Sequence, residues 1–157
     1  MKTTPSDHEL IRNAIANIAI AFDTNAAYTE VRSSFTEDCV VDYTGSLGLM
    51  NGINTVIEKL QNTIGHVTTF RRLSTQAIHL TGKDTAEATT CCSASHYVGG
   101  KSFFAEATYF DKLVKVTEGS TTKWLINYRL TTMMGVPQGD VSIFNMDLEG
   151  WVDTLKA

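Results

Sequence analysis

The sequence predicts an α+β fold in which a cone-shaped, curved antiparallel sheet wraps around N-terminal helices. Apolar residues recur at helical spacing through the first 64 residues, whereas long strand-like segments follow from Thr68 onward. Helices that precede a run of strands are typical of the α+β class, and a curved sheet around them would leave a pocket. The 157 residues contain two prolines and no linker or repeat, so we expect one domain over residues 1–157.

The helices are predicted from capping residues and apolar stripes. The first begins at Ser6, whose hydroxyl can accept from the backbone of Glu9 while the Glu9 carboxylate returns the contact. Its stripe comprises Leu10, Ile11, Ala14, Ile15, Ile18, Ala19 and Phe22. A second helix is predicted over 26–35, and Asn51 or Asn54 can cap a third. The apolar side of the third comprises Ile53, Val56, Ile57, Leu60 and Ile64.

The strands are predicted from β-rich segments and the turns between them. A short strand covers 39–43 and ends in a turn around Gly45 and Gly48. Longer strands follow at 73–81, 85–98, 103–116 and 124–134. Glycine-containing turns join these strands as a meander of hairpins. A last helix is expected around Trp151 and Leu155.

The bulk composition argues against several classes of partner. The net charge of −4 provides no basic surface for nucleic acid or anionic membrane. No apolar run approaches the roughly 20 residues of a membrane span, and the polar N-terminus lacks the apolar core of a secretory signal. Cys39, Cys91 and Cys92 do not form a disulfide framework. We therefore expect a cytoplasmic protein that binds neither nucleic acid nor a membrane.

His96 is the leading candidate for chemistry. Because side chains alternate along a strand, it shares one face with Ala86, Ala88, Thr90, Cys92 and Ala94. Such small residues suit a strand that lines a cavity, where Cys92 would contact substrate. An imidazole, whose ordinary pKa is about 6.5, can move protons near neutral pH. The alternative is a histidine at a solvent-exposed sheet edge.

Charged residues on neighbouring strands could complete such a site. Glu106 lies in an otherwise apolar strand, and burial beside His96 would raise the pKa of its carboxyl into a useful range. An outward-facing position is the alternative. Arg129 alternates with Asn127 and could hold a substrate oxygen through paired donors. Arg129 and Asn127 could equally form a solvent-facing ladder with Thr131.

Several further polar residues remain open to more than one interpretation. Asp42 and Tyr43 point to opposite faces of their strand, so only one can face inward. Tyr28 and Tyr43 could donate to a substrate carbonyl or could pack in the core. His66 and His79 are interpreted as structural. The sequence contains no phosphate loop, nucleophile motif or metal-ligand spacing, so we expect neither a cofactor nor a metal.

The order of several local segments resembles the SnoaL-like branch of the NTF2-like superfamily, which includes polyketide cyclases, scytalone dehydratase and bile acid dehydratases. The segments are AFDTN at 21–25, FTEDCVVDY at 35–43, GKDTA at 82–86, SHY at 95–97 and KWLI at 123–126. The resemblance covers roughly residues 10–135. It implies an α+β barrel, a cofactor-independent dehydratase, isomerase or cyclase, and a homodimer formed through the convex face of the sheet.

The resemblance also implies roles for individual residues. In the dehydratases an acidic residue at the end of the first helix pairs with a histidine on a later strand, and Asp23 and His96 occupy those places. A turn residue is the alternative role for Asp23. The family's second pocket histidine is replaced by Arg71, or by Arg72 if the register slips. Phe22 replaces a tyrosine of scytalone dehydratase, so the substrate of that enzyme cannot be transferred.

Three functional hypotheses follow. In the first, His96 removes a proton beside a carbonyl of a small, largely apolar secondary metabolite, such as a polyketide or terpenoid intermediate. Arg71 or another candidate donor would stabilise the product of that step. The second hypothesis is water addition, as in limonene epoxide hydrolases, with Arg129 bridging Asp42 and Glu106. The third is a non-catalytic binding or dimerisation module.

Overall fold

Seven strands form one curved sheet in the computed structural model, which describes residues 4–24 and 28–157. In chain order the elements are α1 (Asp7–Asp23), α2 (Tyr28–Ser34), β1 (Phe35–Tyr43), β2 (Gly48–Asn51), α3 (Ile53–Ile64), β3 (Thr68–Leu80), β4 (Thr85–Val98), β5 (Lys101–Glu118), β6 (Thr121–Met133), β7 (Gln138–Gly139), a 3₁₀ turn (Val141–Ile143) and α4 (Glu149–Thr154). The strand order is β2-β1-β6-β5-β4-β3, and β7 pairs with β5. The predicted α+β class is confirmed.

The sheet is mixed, which corrects the prediction of a wholly antiparallel one. Strand β1 runs parallel to β6, so that Val41 opposes Arg129 and Tyr43 opposes Thr131. The other strand pairs are antiparallel. Since β1 and β6 are far apart in the chain, their pairing requires a long crossover that local sequence patterns do not reveal. This pairing brings Tyr43 onto the inner face of the sheet.

Helix α1 begins as predicted and packs its apolar stripe on the sheet. The Glu9 N–H donates to Ser6 Oγ at 3.3 Å, and the Ser6 N–H donates to Glu9 Oε2 at 2.7 Å. Ile11, Ile15 and Ile18 are buried, and the helix packs on β3 and β6. The predicted start of α2, residue 26, lies outside the described residues. So does residue 25, the last residue of the AFDTN segment.

Helix α3 is capped differently from the prediction. Gly52 occupies its N-cap with a φ of 80°, a left-handed conformation that suits glycine. Asn51 ends β2 instead, and Asn54 Oδ1 accepts a hydrogen bond from Arg32 Nη2 at 2.6 Å. The predicted apolar side is confirmed, because Ile53, Val56, Ile57, Leu60 and Ile64 are all buried.

A β-bulge at Asn127 changes which residues of β6 face the interior. Its pairing with β5 skips Asn127, since Tyr128 and Ile126 oppose adjacent residues of β5. A bulge shifts the alternation of side chains by one place and bends the strand. Ile126 and Arg129 are therefore both buried, although strict alternation would put them on opposite faces.

The segment after β7 folds back over the inner side of the sheet. Phe144 and Leu148 are buried in the core, and His66 Nε2 lies 2.8 Å from the carbonyl oxygen of Ile143. Trp151 of α4 packs against Gly45, where an added Cβ would lie 2.8 Å from its ring. The predicted last helix is thus confirmed. None of the helices in the described ranges is long and apolar enough to cross a membrane.

The outer face of the sheet carries exposed apolar side chains. The homodimer remains a prediction, and this surface is where its interface would form. Phe70 and Phe104 both oppose Ser95 across β3, β4 and β5, and each is about half exposed. Tyr97 contacts the Phe104 ring edge-on at a centroid distance of 6.1 Å. Adjoining exposed apolar patches of this kind mark interaction sites.

We expect Phe104→Glu to convert a dimer into a monomer, because a carboxylate would be buried at the centre of that contact. Sedimentation velocity measures the change. Leu49→Glu is the matched control, since Leu49 is an exposed apolar residue on the distant strand β2 and should leave the dimer intact. An unchanged sedimentation coefficient for both variants would place the interface elsewhere or exclude a dimer.

Candidate active site

A cavity of about 110 Å³ lies between the inner face of the sheet, α3 and the C-terminal segment. Its wall is mainly apolar. Polar side chains on the wall include Tyr43, Arg71, Cys92, His96, Tyr109 and Thr131. The structure therefore brings four of the predicted site residues together. An apolar cavity of about 150 Å³ holds benzene, so this smaller space limits a ligand to about one small ring.

His96 lies on β4 and is 8% exposed. Its Nδ1 lies 3.3 Å from the carbonyl oxygen of Phe103, and the rings of Phe103 and Phe144 meet the imidazole edge-on. A carbonyl can only accept, so Nδ1 carries the proton and Nε2 keeps a free lone pair. Burial lowers the pKa of His96 to about 4, and the nearby charge of Arg71 acts in the same direction. The imidazole is thus neutral at pH 7.

Asp23 holds Arg71 rather than His96. Asp23 Oδ1 lies 3.1 Å from Arg71 Nη1, and Asp23 Oδ2 accepts from the Arg71 backbone N–H at 2.7 Å. The hydroxyl of Thr69 lies 2.9 Å from Asp23 Oδ1 and accepts from Arg71 Nη1 at 2.8 Å. Among the described residues no hydrogen bond joins Asp23 to His96. The expected direct contact is therefore corrected: the Phe103 carbonyl orients the imidazole.

Arg71 is the guanidinium that reaches the cavity. Its side chain is 9% exposed and its guanidinium lies 4.6 Å from the centre of the Phe22 ring. Arg72, the alternative if the register had slipped, donates to Ser95 Oγ on the outer side of the sheet. Only Nη1 and the backbone N–H of Arg71 have partners in the part of the chain that the structure describes. The remaining guanidinium donors are available to a ligand.

Arg129 forms a buried ion pair instead of facing substrate. Its Nε donates to Asp111 Oδ1 at 2.6 Å and its Nη2 donates to Asp111 Oδ2 at 2.8 Å. The two side chains are 3% and 0% exposed. The guanidinium also stacks over the Tyr109 ring at 4.5 Å and over Phe35 at 5.6 Å. The predicted substrate-binding role is corrected, because Asp111 already satisfies the paired donors that it needs.

Strands β1, β4 and β5 supply hydroxyl and thiol groups to the cavity. Tyr109 OH donates to Cys92 Sγ at 3.3 Å, and burial raises the pKa of the Tyr109 hydroxyl far above its usual value. Burial likewise raises the pKa of Tyr43 and that of the Cys92 thiol. These groups keep their protons at neutral pH. They can donate hydrogen bonds, and Cys92 is unsuited to act as a thiolate nucleophile.

The remaining predicted site residues lie away from the cavity. Glu106 is exposed on the outer face, 3.5 Å from Ser93 Oγ, because Ala105 and Ala107 are the inward residues of that part of β5. Asp42 faces away from the cavity, which Tyr43 enters. Tyr28 packs its ring on Phe22 at 6.3 Å and does not line the cavity. Asn127 is the bulge residue, and its Oδ1 is buried without a partner in the described ranges.

Sequence reasoning missed Asp111, Tyr109, Thr131 and the aromatic residues of the C-terminal segment. Asp111 follows Phe110 in a strand that is otherwise rich in apolar residues, and a single acid in such a strand indicates a buried cationic partner. Which cation pairs with Asp111 depends on the bulge at Asn127, which turns Arg129 inward. No group of three His, Cys, Asp or Glu residues within 4–24 and 28–157 is arranged to hold a metal ion.

Comparisons with known proteins agree with this architecture. The profile of the family described as SnoaL-like domain matches residues 4–129. A candidate aromatic ring hydroxylase from Novosphingobium aromaticivorans aligns with a TM-score of 0.76 at 20% identity, over 89% of this chain and 98% of that one. A candidate scytalone dehydratase from the same species aligns with a TM-score of 0.72 at 22% identity, over 82% of this chain and 84% of that one. The hexachlorocyclohexane dehydrochlorinase LinA type 2 aligns with a TM-score of 0.70 at 14% identity, over 85% of this chain and 88% of that one. No curated protein matches the chain.

Burial of His96 predicts a loss of stability in mild acid. The unfolded chain binds a proton near pH 6.5, whereas the folded chain does so only near pH 4, so stability is lost as pH falls between these values. Between about pH 8 and 5, urea unfolding should show the wild type losing about 2 kcal/mol more than His96→Asn. Asparagine retains a donor for the Phe103 carbonyl. Equal losses in both proteins would mean that His96 titrates normally.

Removal of one partner from the Asp111–Arg129 pair should be strongly destabilising. We expect Asp111→Asn to cost about 3–5 kcal/mol in the free energy of unfolding, because it leaves the Arg129 charge buried and uncompensated. The double variant Asp111→Leu with Arg129→Met should recover most of that loss, since no charge remains. Denaturant unfolding measures both. A double variant as unstable as the single one would contradict this account.

Proposed function

The chain belongs to the family of SnoaL-like domains, and on that premise we propose that it is a cofactor-independent lyase or isomerase acting on a small, uncharged ring compound. The observation that carries this proposal is the placement of a neutral imidazole, His96, and a guanidinium, Arg71, on the wall of one mainly apolar cavity. One group can accept a proton, and the other can stabilise the negative charge that its removal creates.

His96 is the proposed proton acceptor. Its Nδ1–H is directed to the Phe103 carbonyl, which leaves the Nε2 lone pair for substrate. A pKa of about 4 keeps the imidazole neutral and ready at physiological pH, although it makes His96 a weak base. The carbon acid of the substrate must therefore be made more acidic by its surroundings. A cation such as Arg71 beside the substrate carbonyl oxygen lowers the pKa of the neighbouring C–H group.

Arg71 is the proposed stabiliser of the enolate, and Asp23 is its positioning residue. Both oxygens of Asp23 are engaged by Arg71 and Thr69, so Asp23 itself is poorly placed to take a substrate proton. The unpartnered donors of Arg71 would meet the substrate oxygen as its charge develops. A preorganised donor of this kind is worth roughly 10²–10³-fold in rate.

The proposed reaction begins with transfer of a proton from the carbon beside the carbonyl to His96 Nε2. The C–H electron pair forms a carbon–carbon double bond, and the carbonyl electrons move to the oxygen held by Arg71. When the enolate collapses, a hydroxyl on the β-carbon leaves with the proton from the imidazolium, which yields an enone and water. Return of that proton to a different carbon would yield an isomer instead.

Charge and volume define the proposed substrate class. The Arg71–Asp23 and Arg129–Asp111 pairs each cancel, and His96 is neutral, so the cavity carries no net charge to bind an ionised group. Its volume of about 110 Å³ limits the ligand to about one small ring. Within the secondary metabolites suggested by the resemblance, this favours a compact polyketide or terpenoid intermediate.

The rival hypothesis of water addition has less support. It requires two carboxylates bridged by Arg129, whereas Asp111 occupies that guanidinium and Glu106 lies on the outer face. A non-catalytic module remains the alternative that the activity experiment decides.

Dehydration of 3-hydroxycyclohexanone is the test, followed by the ultraviolet absorbance of the enone. We expect His96→Asn to lower kcat/KM about 10²–10⁴-fold, because the variant keeps the contact with Phe103 but loses the base. Arg71→Gln should lower it about 10²-fold through loss of the oxyanion donor. The wild-type kcat/KM should rise as pH increases through about 4, where His96 loses its proton, and stay level around neutrality.

Arg72→Gln is the matched control, because Arg72 is the adjacent arginine on the opposite face of β3. Its activity should equal that of the wild type. If the wild type accelerates neither dehydration nor exchange of the α-protons of cyclohexanone with deuterium, the catalytic proposal fails and the binding-module alternative takes its place. Activity that survives in His96→Asn would remove His96 from the mechanism.

A further inference from the structure

The C-terminal segment, residues 140–148, brings an aromatic side chain back onto the imidazole of His96. The ring of Phe144 lies edge-on to His96 at a centroid distance of 5.2 Å and edge-on to Phe103 at 5.0 Å. The rings of His96 and Phe103 are themselves 5.8 Å apart. All three residues are more than nine-tenths buried. Phe144 therefore completes a buried cluster of three rings around the proposed proton acceptor.

The backbone that leads to Phe144 is anchored beside Phe103. Gly139 of β7 pairs with Phe103 of β5, and its φ of 109° is one that glycine adopts readily. A Cβ at Gly139 would collide with the backbone carbonyl of Ser102. The Asp140 N–H donates to that same carbonyl oxygen at 2.8 Å. The segment thus starts from a fixed position next to the strand that carries Phe103.

The residues on either side of Phe144 are held by the end of α3 and the turn after it. The carbonyl oxygen of Ile143 lies 2.8 Å from His66 Nε2, and Nδ1 of the same imidazole lies 3.2 Å from Asn145 Nδ2. The Asn145 N–H donates to the carbonyl oxygen of Thr63 at 3.4 Å. Because its backbone is fixed on both sides, the Phe144 ring loses little further conformational freedom when it packs on a neighbour.

The hydrogen bond of His96 leaves the orientation of the imidazole weakly defined. Its Nδ1 lies 3.3 Å from the Phe103 carbonyl oxygen, which is longer than the roughly 2.9–3.0 Å most common for an N–H···O bond. Rotation about the Cβ–Cγ bond would carry Nδ1 away from that carbonyl and change the direction of the Nε2 lone pair. Edge-to-face contacts are a preferred arrangement of aromatic rings, and two of them oppose this rotation.

We propose that Phe144 is a positioning residue for His96. Its ring holds the imidazole in the orientation that keeps Nδ1–H on the Phe103 carbonyl and leaves the Nε2 lone pair to the substrate. The C-terminal segment is then a working part of the active site as well as a cover for the core. The inference rests on the proposed function for the role of His96, but it describes the ligand-free protein and is tested without turnover.

Phe144 acts on the imidazole by contact and by excluding water, since it carries no charge. The charged groups that act on His96 are Arg71 of β3, which lowers the pKa of the imidazole, and Asp23 of α1, which raises it. Both groups remain when the Phe144 ring is removed. Burial is the largest cause of the lowered pKa, so water admitted beside the imidazole should raise the pKa of His96 towards its usual value.

NMR of the four histidine side chains in the ligand-free protein is the test. The signals of His96 are those that disappear in His96→Asn. Near neutral pH, the nitrogen shifts of the wild type should show the Nδ1–H tautomer alone. In Phe144→Ala we expect a mixture of both tautomers, because the imidazole is free to turn. We also expect the pKa of His96 to rise by about one unit, because water reaches the ring.

Leu148→Ala is the matched control, because Leu148 is buried in the same segment and lines the same cavity but has no ring to pack on His96. It should lower stability, as Phe144→Ala does, and leave the tautomer and the pKa of His96 unchanged. Phe144→Leu keeps most of the apolar volume and should fold even if the alanine variant does not. It should show the mixture of tautomers with a smaller rise in the pKa of His96.

The outcomes separate this inference from the proposed function. An unchanged tautomer in folded Phe144→Ala, or in Phe144→Leu if the alanine variant does not fold, overturns the inference whatever the enzymatic activity is. A rise in the pKa of His96 without a mixture of tautomers also overturns it, because Phe144 would then only exclude water. An equal effect of Leu148→Ala does so as well. Both expected changes in a protein without dehydratase activity support the inference and remove only the catalytic proposal.

Discussion

The inner face of the sheet beside the cavity depends on the ion pair between Arg129 and Asp111. The bulge at Asn127 turns Arg129 inward, where an unpaired guanidinium would carry a large desolvation cost. Asp111 opposes it directly on β5 and accepts from both Nε and Nη2. The neutralised guanidinium can then stack on the ring of Tyr109, which lines the cavity. Strand pairing, a bulge and one carboxylate thus allow a charged residue to be buried beside an otherwise apolar cavity.

The ion pair between Asp23 and Arg71 gives the acid at the end of α1 a different partner from the one that the family resemblance implies. In the dehydratases that the sequence resembles, the acid at the end of the first helix pairs with a histidine, which moves protons. Here Asp23 pairs with Arg71, which stays protonated and can only supply positive charge. That charge also acts on His96, where together with burial it holds the imidazole neutral. Asp23 thus supports a fixed cation, and under the proposed function the acceptance of a proton falls to His96, which is the histidine that lines the cavity among the described residues.

Local features of the fold were predictable from the sequence, whereas long-range features were not. The capping box at Ser6 and the hairpins depend on neighbours in the chain, and the family resemblance, now confirmed, follows from their order. The parallel pairing of β1 with β6 and the bulge at Asn127 depend on contacts made only in the folded sheet. Glu106 shows the consequence: it shares the outer face of β5 with Phe104, whereas Ala105 and Ala107 face inward, and apolar residues on both faces leave the sequence pattern unable to identify the inner one.

Burial of a titratable group marks the site more directly than a sequence motif does. A core that served stability alone would not hold a histidine kept neutral by burial, because such a residue lowers the free energy of unfolding in mild acid. His96 lies on the cavity wall together with Arg71, whose charge is compensated by Asp23. Buried polar atoms without a partner do not mark the cavity in the same way, since Asn127 Oδ1 lies away from it. Under the proposed function, the stability lost at His96 is the cost of holding a neutral proton acceptor against an apolar cavity.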